Sequence, residues 1–561
     1  MSKFTHNLVR EMAERIAAGL GRKAITTPSQ WAEKYRILGG KDFPGPWRFK
    51  HHPWLREMHD STADFNVGKK SAQMGYTECV LNLTFFKIDI ERVDCLYVLP
   101  SKTPDASDFS TGRFDPALEL SPHLSNMFSD VKNIGHKRAG PTNLYIRGSK
   151  SRSQLKSIPV GFLVMDEVDE MVEKNIPLAM ERQSGQLTKS AWAISTPTIP
   201  TFGIDDLYGL TTQEHFFFKC PSCSRMVELE FPKSLVITGK DLFDPDLKNS
   251  HLICLQCKAK LEHKTKFEWL ASGMWVKSYT DREERGFYIH QQYSPTVTPY
   301  QLAQAAIKAE FNPADEQEYW NSKGGLAHTV AGAKLSDEMI KACFKNYKKC
   351  ETKVTNVVTM GVDVGKWIHY EIDMWQPPPY VKNDLNMESY CRVITMGKVF
   401  TFEELDVLMR QWRVNFCVID ANPERRKAFE FASRFWGYVK MCFYGRGVQG
   451  KQIHVGKNDD GTMNTSEPTI TVDRTSWLDM SLGRIKAQRI DLPIDTDLEY
   501  IMHLKALVRV YEKDQDGNPV GKYVKKERDE DHLAHARNYA EIALPFAFNV
   551  GQSQNMSSVP V

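Results

Sequence analysis

Residues Gly161, Phe162, Leu163, Val164 and Met165 form an unbroken apolar run that ends in two adjacent acids, Asp166 and Glu167. A run this short and this apolar reads as a strand buried on both faces, as in a parallel sheet covered by helices. Its acids then emerge at the carboxyl end of the strand. There the first can hold Mg²⁺, and the second can align and polarise a water for attack on a phosphoryl group. Such a strand needs a phosphate-binding partner, and residues 67–77 offer one. Val67, Gly68, Lys69, Lys70, Ser71, Ala72, Gln73, Met74, Gly75, Tyr76 and Thr77 follow an extended segment and precede a helix-like run from Glu78 to Phe86. The lysines stand first, so this is not the usual GxxxxGK[ST] order. The parts are nonetheless present: a cation for β/γ-phosphates, a glycine for close backbone approach, a hydroxyl for Mg²⁺ and a helix N-terminus behind them. Together the two segments predict ATP binding.

Further apolar strands over Cys95–Leu99, Asn143–Ile146 and Ala191–Ser195 alternate with longer connections, which predicts a parallel α/β sheet. The last of them runs into Ser195, Thr196, Pro197 and Thr198, a polar strand end placed to sense a γ-phosphate or simply to make a turn. Before the sheet come a basic amphipathic stretch, Val9–Leu20, and an aromatic, proline-rich one from Phe43 to Trp54.

Cys220 and Cys223 form one CxxC pair and Cys254 and Cys257 another, 30 residues apart. Two such knuckles complete a tetrahedral S₄ shell for Zn²⁺, and a closed shell with no open position is structural. The other cysteines of the 11 call for no disulfide framework. With 73 basic and 70 acidic residues, the overall charge names no partner. No signal segment opens the chain and no run approaches the ~18 apolar residues of a membrane span. A soluble, intracellular protein is expected.

A lysine-rich stretch (Lys341, Lys345, Lys348, Lys349, Lys353) suits a linker, and a second α/β pattern follows it. One strand, Asn356–Val362, ends in Asp363. Another, Phe416–Ile419, ends in Asp420, and a helix opens after Asp529, Glu530 and Asp531, carrying His535. Converging strand-end acids can hold two Mg²⁺ or Mn²⁺ ions for phosphodiester hydrolysis, an RNase H-like arrangement in outline.

An ATPase with a lysine-first loop, a zinc-knuckle insertion and an RNase H-like nuclease in one chain resembles the large terminase subunit of tailed bacteriophages, in its lambda-like branch. The resemblance is carried by Lys70–Thr77, the phrase Val164-Met165-Asp166-Glu167-Val168-Asp169, Ser195–Thr198, the two CxxC knuckles and Gly361-Val362-Asp363. It implies an α/β fold with these parts: an N-terminal segment (1–60), a P-loop ATPase core (61–210), a zinc-knuckle insertion (211–275), the rest of the motor and a linker (276–350), an RNase H-like nuclease (351–546) and a flexible tail (547–561). The implied nucleotide residues are Lys69, Lys70, Ser71, Gln73, Gly75, Tyr76 and Thr77, with Thr77 and Asp166 sharing Mg²⁺ and Glu167 the catalytic carboxylate. Ser195, Thr196 and Thr198 would couple hydrolysis to DNA movement, and Trp47 and Phe49 are either an adenine platform or ordinary core. Asp363, Asp420 and Asp531 or His535 would hold the nuclease metal, Mg²⁺ or Mn²⁺. His535 stands where relatives usually carry an acid, which leaves the third ligand open, Asp529 included.

The implied function is ATP-driven packaging of viral double-stranded DNA into procapsids, with cleavage of concatemers. Implied partners are duplex DNA, a small terminase subunit, the portal protein and further copies in a ring, all in the host cytoplasm or on the procapsid and none in a membrane. Lys137-Arg138 and Arg425-Arg426-Lys427 are candidate backbone contacts, and Arg138, Arg147 and Arg152 candidate trans-acting arginines. The alternatives are a zinc-containing helicase or translocase without nuclease activity, and an inactive nucleic-acid-binding scaffold.

Overall fold

The computed structural model describes residues 27–556 apart from 41, 129–130, 379–380, 382–383, 446–449, 451, 456–467 and 514–518. The stretch Val9–Leu20 lies outside them. The chain divides between His328 and Thr329 into two compact units.

The first unit is built on an 11-stranded sheet. Its parallel strands are β1 (Phe65–Lys70), β2 (Cys95–Leu99), β3 (Thr142–Gly148), β4 (Phe162–Asp166), β5 (Ser190–Ser195), β6 (Glu214–Lys219) and β7 (Arg285–Ile289). Their order is β6-β7-β1-β5-β4-β2-β3, with short antiparallel strands added outside β6 and β3. β2 and β4 are buried at every residue, as their apolar runs predict, and so is β1 despite its two lysines. Helix α1 (Tyr76–Phe86) follows β1 and is buried almost all round, so it is a core helix and not a surface one. It starts at Gly75, which holds a left-handed conformation (φ +82°) with Leu55 Cδ1 only 2.9 Å from where a Cβ would sit. No other residue type fits that start without strain.

Of the two readings of Trp47 and Phe49, the burial fits ordinary core. Trp47 and Phe49 are buried, meet edge to face and pack around His59. The zinc-knuckle insertion is shorter than expected, because β6 and the strand Met274–Lys277 at its two ends pair with each other in the main sheet.

The second unit begins earlier than the linker reading allows. Leu335, Ile340 and Cys343 are buried with Trp375, Leu478 and Leu492 in its core, and Phe344–Lys345 pairs with Ile490–Pro493. Lysine density marked a linker only because the apolar residues between the lysines are few. The unit's sheet contains β8 (Val357–Val364), β9 (Ile368–Gln376), β10 (Tyr390–Val399), β11 (Phe416–Asp420), β12 (Val439–Tyr444) and β13 (Thr469–Val472). β10-β9-β8 form an antiparallel meander, and β11, β12 and β13 follow in order on the other side of β8, parallel to it.

The long helix α3 (His532–Met556) lies on this sheet, and helix α2 (Arg474–Lys486) packs against α3 with its apolar side chains in the same core. α3 continues through most of the stretch read as a flexible tail. It lies directly on β8 at Gly361, where a Cβ would fall 1.9 Å from the Ala536 carbonyl. Gly361 is therefore what lets the helix descend onto the strand. Beneath α3, Arg537 is fully buried against Glu371 (2.6 Å), and Arg484 against Glu541 (2.6 Å).

Candidate active sites

Strand order decides the geometry of the first site. β5 lies between β1 and β4, so the ends of all three open side by side. Lys70 closes β1, and its ammonium stands 3.2 Å from Glu167 and 3.4 Å from the Thr196 hydroxyl. Glu167 itself holds a left-handed backbone (φ +60°) that swings its carboxylate back over the strand ends. A non-glycine residue in that region carries strain that persists where the surroundings fix it.

Asp166 is buried and accepts the Tyr97 hydroxyl at 2.7 Å through Oδ2. Its Oδ1 is also buried and makes no hydrogen bond of normal geometry. Burial, with the neighbouring charge of Glu167, pushes its pKa up to about 6 against the pull of Lys70 and the Tyr97 and Thr77 hydroxyls. An orphaned carboxylate oxygen beside a helix-start threonine is a fitting ligand for Mg²⁺. Ser71 Oγ is likewise buried without a partner.

Lys69 and Tyr76 leave this constellation. Adjacent strand residues point to opposite faces. Lys69 therefore faces away from Lys70 and pairs with Asp205 at 2.6 Å, beneath the rings of Tyr208 and Tyr288. Gln73 is exposed at the crest of the loop (φ +61°). Tyr76 points inward, its ring filling the space over Gly68. The loop amides of Ser71 and Ala72 are held by the carbonyls of Ile289 (3.0 Å) and Ser322 (2.9 Å). The N-terminus of α1, where Thr77 stands, has no side-chain cap.

The segment Ser195–Thr198 is fixed from two sides. Asp169 accepts the amides of Thr198 (2.7 Å) and Ile204 (2.8 Å), and its own N–H donates to Ser195 Oγ at 3.2 Å. Gly203, at φ +52°, leaves room for that carboxylate. The Thr198 carbonyl accepts Asn321 Nδ2 (2.9 Å) and the His328 amide (3.1 Å). Residues 317–328 thus touch both the phosphate loop and the strand end, a role that no motif in the sequence announces.

The four cysteines converge: one Sγ from each of Cys220, Cys223, Cys254 and Cys257 lies within 4.8 Å of the others. The two knuckles fold identically. In each the first cysteine's N–H bonds the carbonyl five residues on at 2.9 Å. The residue four positions on, Ser224 or Lys258, takes a left-handed conformation. This donor set and repeated turn fit Zn²⁺.

In the second unit, β8 and β11 are parallel neighbours, and Asp363 and Asp420 close them next to each other. Burial pushes the Asp420 carboxyl up to about 6, and the charge of Asp363 adds to the shift. Asp531 behaves differently. Burial is outweighed by its hydrogen bond to His535 and the charges of Lys525 and Arg474, which hold it well below the usual carboxylate range. His535 spans Asp531 (3.2 Å) and the Tyr444 hydroxyl (3.1 Å), so both its nitrogens are engaged. Two histidines that the sequence reading passed over lie closer to Asp363. His532 Nδ1 is 2.8 Å from Asp363 Oδ2, and His369 is paired directly opposite Asp363 across β8 and β9. Of the surface cations expected to grip DNA, Lys137 is buried and paired with Asp115 at 2.7 Å. Arg147 is held by the carbonyls of Gly135 and Ile146.

Among the described residues no helix is long and apolar enough to cross a membrane. No curated protein matches the chain. Among solved structures, the large terminase of bacteriophage HK97 is similar at 12% identity and TM-score 0.45, over 92% of this chain and 99% of that one. The ATPase domain of the large terminase of Thermus phage P74-26 is similar at 12% identity and TM-score 0.30, over 50% of this chain and 97% of that one. Both likenesses are weak, and the sequence match is what assigns the first unit. Residues 41–275 match the family described as phage terminase large subunit gpA, ATPase domain, so this part of the chain is similar to that ATPase domain.

Proposed function

We propose that the chain is a large terminase subunit, an ATP-driven motor for viral double-stranded DNA joined to a metal-dependent endonuclease. The observation that carries the motor half is the convergence of Lys70, Glu167 and Thr196 at three adjoining strand ends, within 3.2 to 3.4 Å of the Lys70 ammonium. In this reading Lys70 and the N-terminus of α1 hold the phosphates, while Thr77 and Asp166 hold Mg²⁺. The ion, when bound, neutralises charge on the β- and γ-phosphates. Glu167 orients the attacking water and accepts its proton. Departure of the γ-phosphate frees Lys70 to pair with Glu167 and Thr196, and Thr196 passes that change into the Ser195–Thr198 segment and residues 317–328.

The nuclease half is supported by the strand order of the second unit. A three-stranded antiparallel meander followed by parallel strands beside its first member is the RNase H-like order, with Asp363 and Asp420 at adjacent strand ends. These residues would hold Mg²⁺ or Mn²⁺, which activates a water for attack on a DNA phosphate. The placement in the lambda-like branch rests on the lysine-first loop and the phrase Asp166-Glu167-Val168-Asp169. Duplex DNA of any sequence, a small terminase subunit, the portal of a procapsid and a ring of like subunits complete the assembly, in the host cytoplasm.

Stimulation of ATP hydrolysis by duplex DNA tests the motor. The expected result is a rise with random-sequence duplexes that Lys70→Ala abolishes. Hydrolysis indifferent to all DNA would remove the motor reading.

A further inference from the structure

The nuclease reading uses Asp363 and leaves two adjacent histidines without a role. A ring nitrogen of His369, a ring nitrogen of His532 and a carboxylate oxygen of Asp363 all lie within 4.8 Å of one another. The placement is built into the fold. His369 stands opposite Asp363 in the antiparallel pair β8-β9, so the two side chains share one face of the sheet. His532 opens α3 and is brought down to that face by the close approach at Gly361. The two imidazoles lie face to face, with centroids 4.7 Å apart and planes at 7°. His503 packs edge-on against both and is itself fixed by the Leu533 amide at 3.2 Å.

One atom in this cluster is unexplained by the protein. His369 is only 4% exposed, and its Nδ1 is buried with no hydrogen-bond partner. Leaving a buried ring nitrogen unpaired costs its desolvation with nothing in return. A metal ion bound at that nitrogen removes that cost. Donors around one ion with bonds of about 2.1 Å stand about 3 to 4 Å apart, so closing the cluster takes a contraction and a turn of one imidazole out of the parallel stack, because each lone pair lies in its ring plane. Two imidazoles and one carboxylate are a donor set for first-row transition ions, whereas Mg²⁺ favours oxygen throughout. Three donors also leave coordination positions for water or a phosphate oxygen.

We propose that Asp363, His369 and His532 form a binding site for one divalent first-row transition-metal ion, for which Mn²⁺ serves as the paramagnetic probe, that discriminates against Mg²⁺ through its two imidazoles. Asp363 is shared with the Asp363–Asp420 pair. The site would therefore make the chemistry at these strand ends dependent on a nitrogen-ligated ion. That consequence for DNA cleavage rests on the nuclease reading; the site itself does not.

The test uses the full chain with its cysteine site filled with Zn²⁺ and no nucleotide present, titrated with Mn²⁺ and read by electron paramagnetic resonance. The wild type is expected to bind Mn²⁺ about tenfold or more tightly than Mg²⁺ and to show nitrogen hyperfine coupling from imidazole. His369→Gln and His532→Gln should each weaken Mn²⁺ by about 10- to 100-fold and erase both the preference and the coupling. Asp420→Asn should keep the nitrogen coupling, because Asp420 is not a donor. The melting temperature of each ion-free variant separates a lost ligand from a damaged fold: a His532→Gln protein that melts as the wild type does but no longer prefers Mn²⁺ has lost a ligand. Equal affinity for the two ions in the wild type, absence of nitrogen coupling, or retention of the preference in both histidine variants would overturn the proposal. Cleavage of plasmid DNA is scored separately. Nitrogen-coupled Mn²⁺ in a protein that cuts no DNA supports the site while removing the nuclease reading.

Discussion

Asp169 and Thr198 are joined by a hydrogen bond of 2.7 Å, from the Thr198 amide to Asp169 Oδ2. That bond ties the acidic end of β4 to the polar segment that follows β5, and a second amide, from Ile204, occupies the other oxygen. The carboxylate is thus a brace between the turn that follows β4 at Glu167 and the Ser195–Thr198 segment.

Asp169→Asn puts an amide NH₂ where one of two N–H donors needs an acceptor. The expected cost is about 1.5 to 3 kcal/mol of stability at neutral pH. Hydrolysis should fall while nucleotide affinity holds, because the variant loosens Ser195–Thr198 and leaves Lys70 in place. Denaturant melts and ATP turnover on the same preparation check both.

The same residue gives a pH dependence with a definite sign. Burial pushes the Asp169 pKa up to about 7, the amides of Ile204 and Thr198 opposing it. A carboxyl raised in the folded state contributes stability that is fully present below its unfolded value near 3.8 and is lost as pH rises through about 7. The wild type should therefore lose stability between about pH 4 and 7 relative to Asp169→Asn, measured as the difference between their melting curves.

How much of this was legible in the sequence follows from which forces are local. The apolar run before Asp166 and the CxxC pairs announce themselves, because strand burial and thiolate ligation need only contiguous residues. Lys69 did not, because a lysine pair reads alike whichever face each member takes, and only the strand's alternation turns one of them toward Asp205. His369 and His532 were invisible for a different reason. They are 163 residues apart in sequence, and a helix resting on Gly361 brings them together. The extension of α3 to Met556 is not announced either, because the polar residues after Val550 are compatible both with a tail and with the last turns of a helix.

Removal of zinc should act on the fold and not on the chemistry. Cys254→Ser is expected to lower the zinc content from about one ion per chain to below half, and to destabilise the region between β6 and Met274–Lys277. Zinc analysis with limited proteolysis checks this, and cleavage sites confined to residues 220–262 are the expected pattern.

Arg537 is buried at 0% exposure with Glu371, Asp373 and Glu541 around it. Arg537→Met leaves these acids without their shared counter-ion and should cost about 3 to 5 kcal/mol. Equilibrium unfolding in urea would show it as a lower midpoint for the second unit's transition.

The most direct test is a paired assay of ATP hydrolysis and metal-dependent plasmid cleavage on the wild type, Glu167→Ala and Asp363→Ala. The account predicts that Glu167→Ala loses hydrolysis by about 10²-fold or more and still cuts DNA. It predicts that Asp363→Ala stops cutting and still hydrolyses ATP. Equal cleavage by the wild type and Asp363→Ala would contradict the claim that one chain carries both a motor and a nuclease.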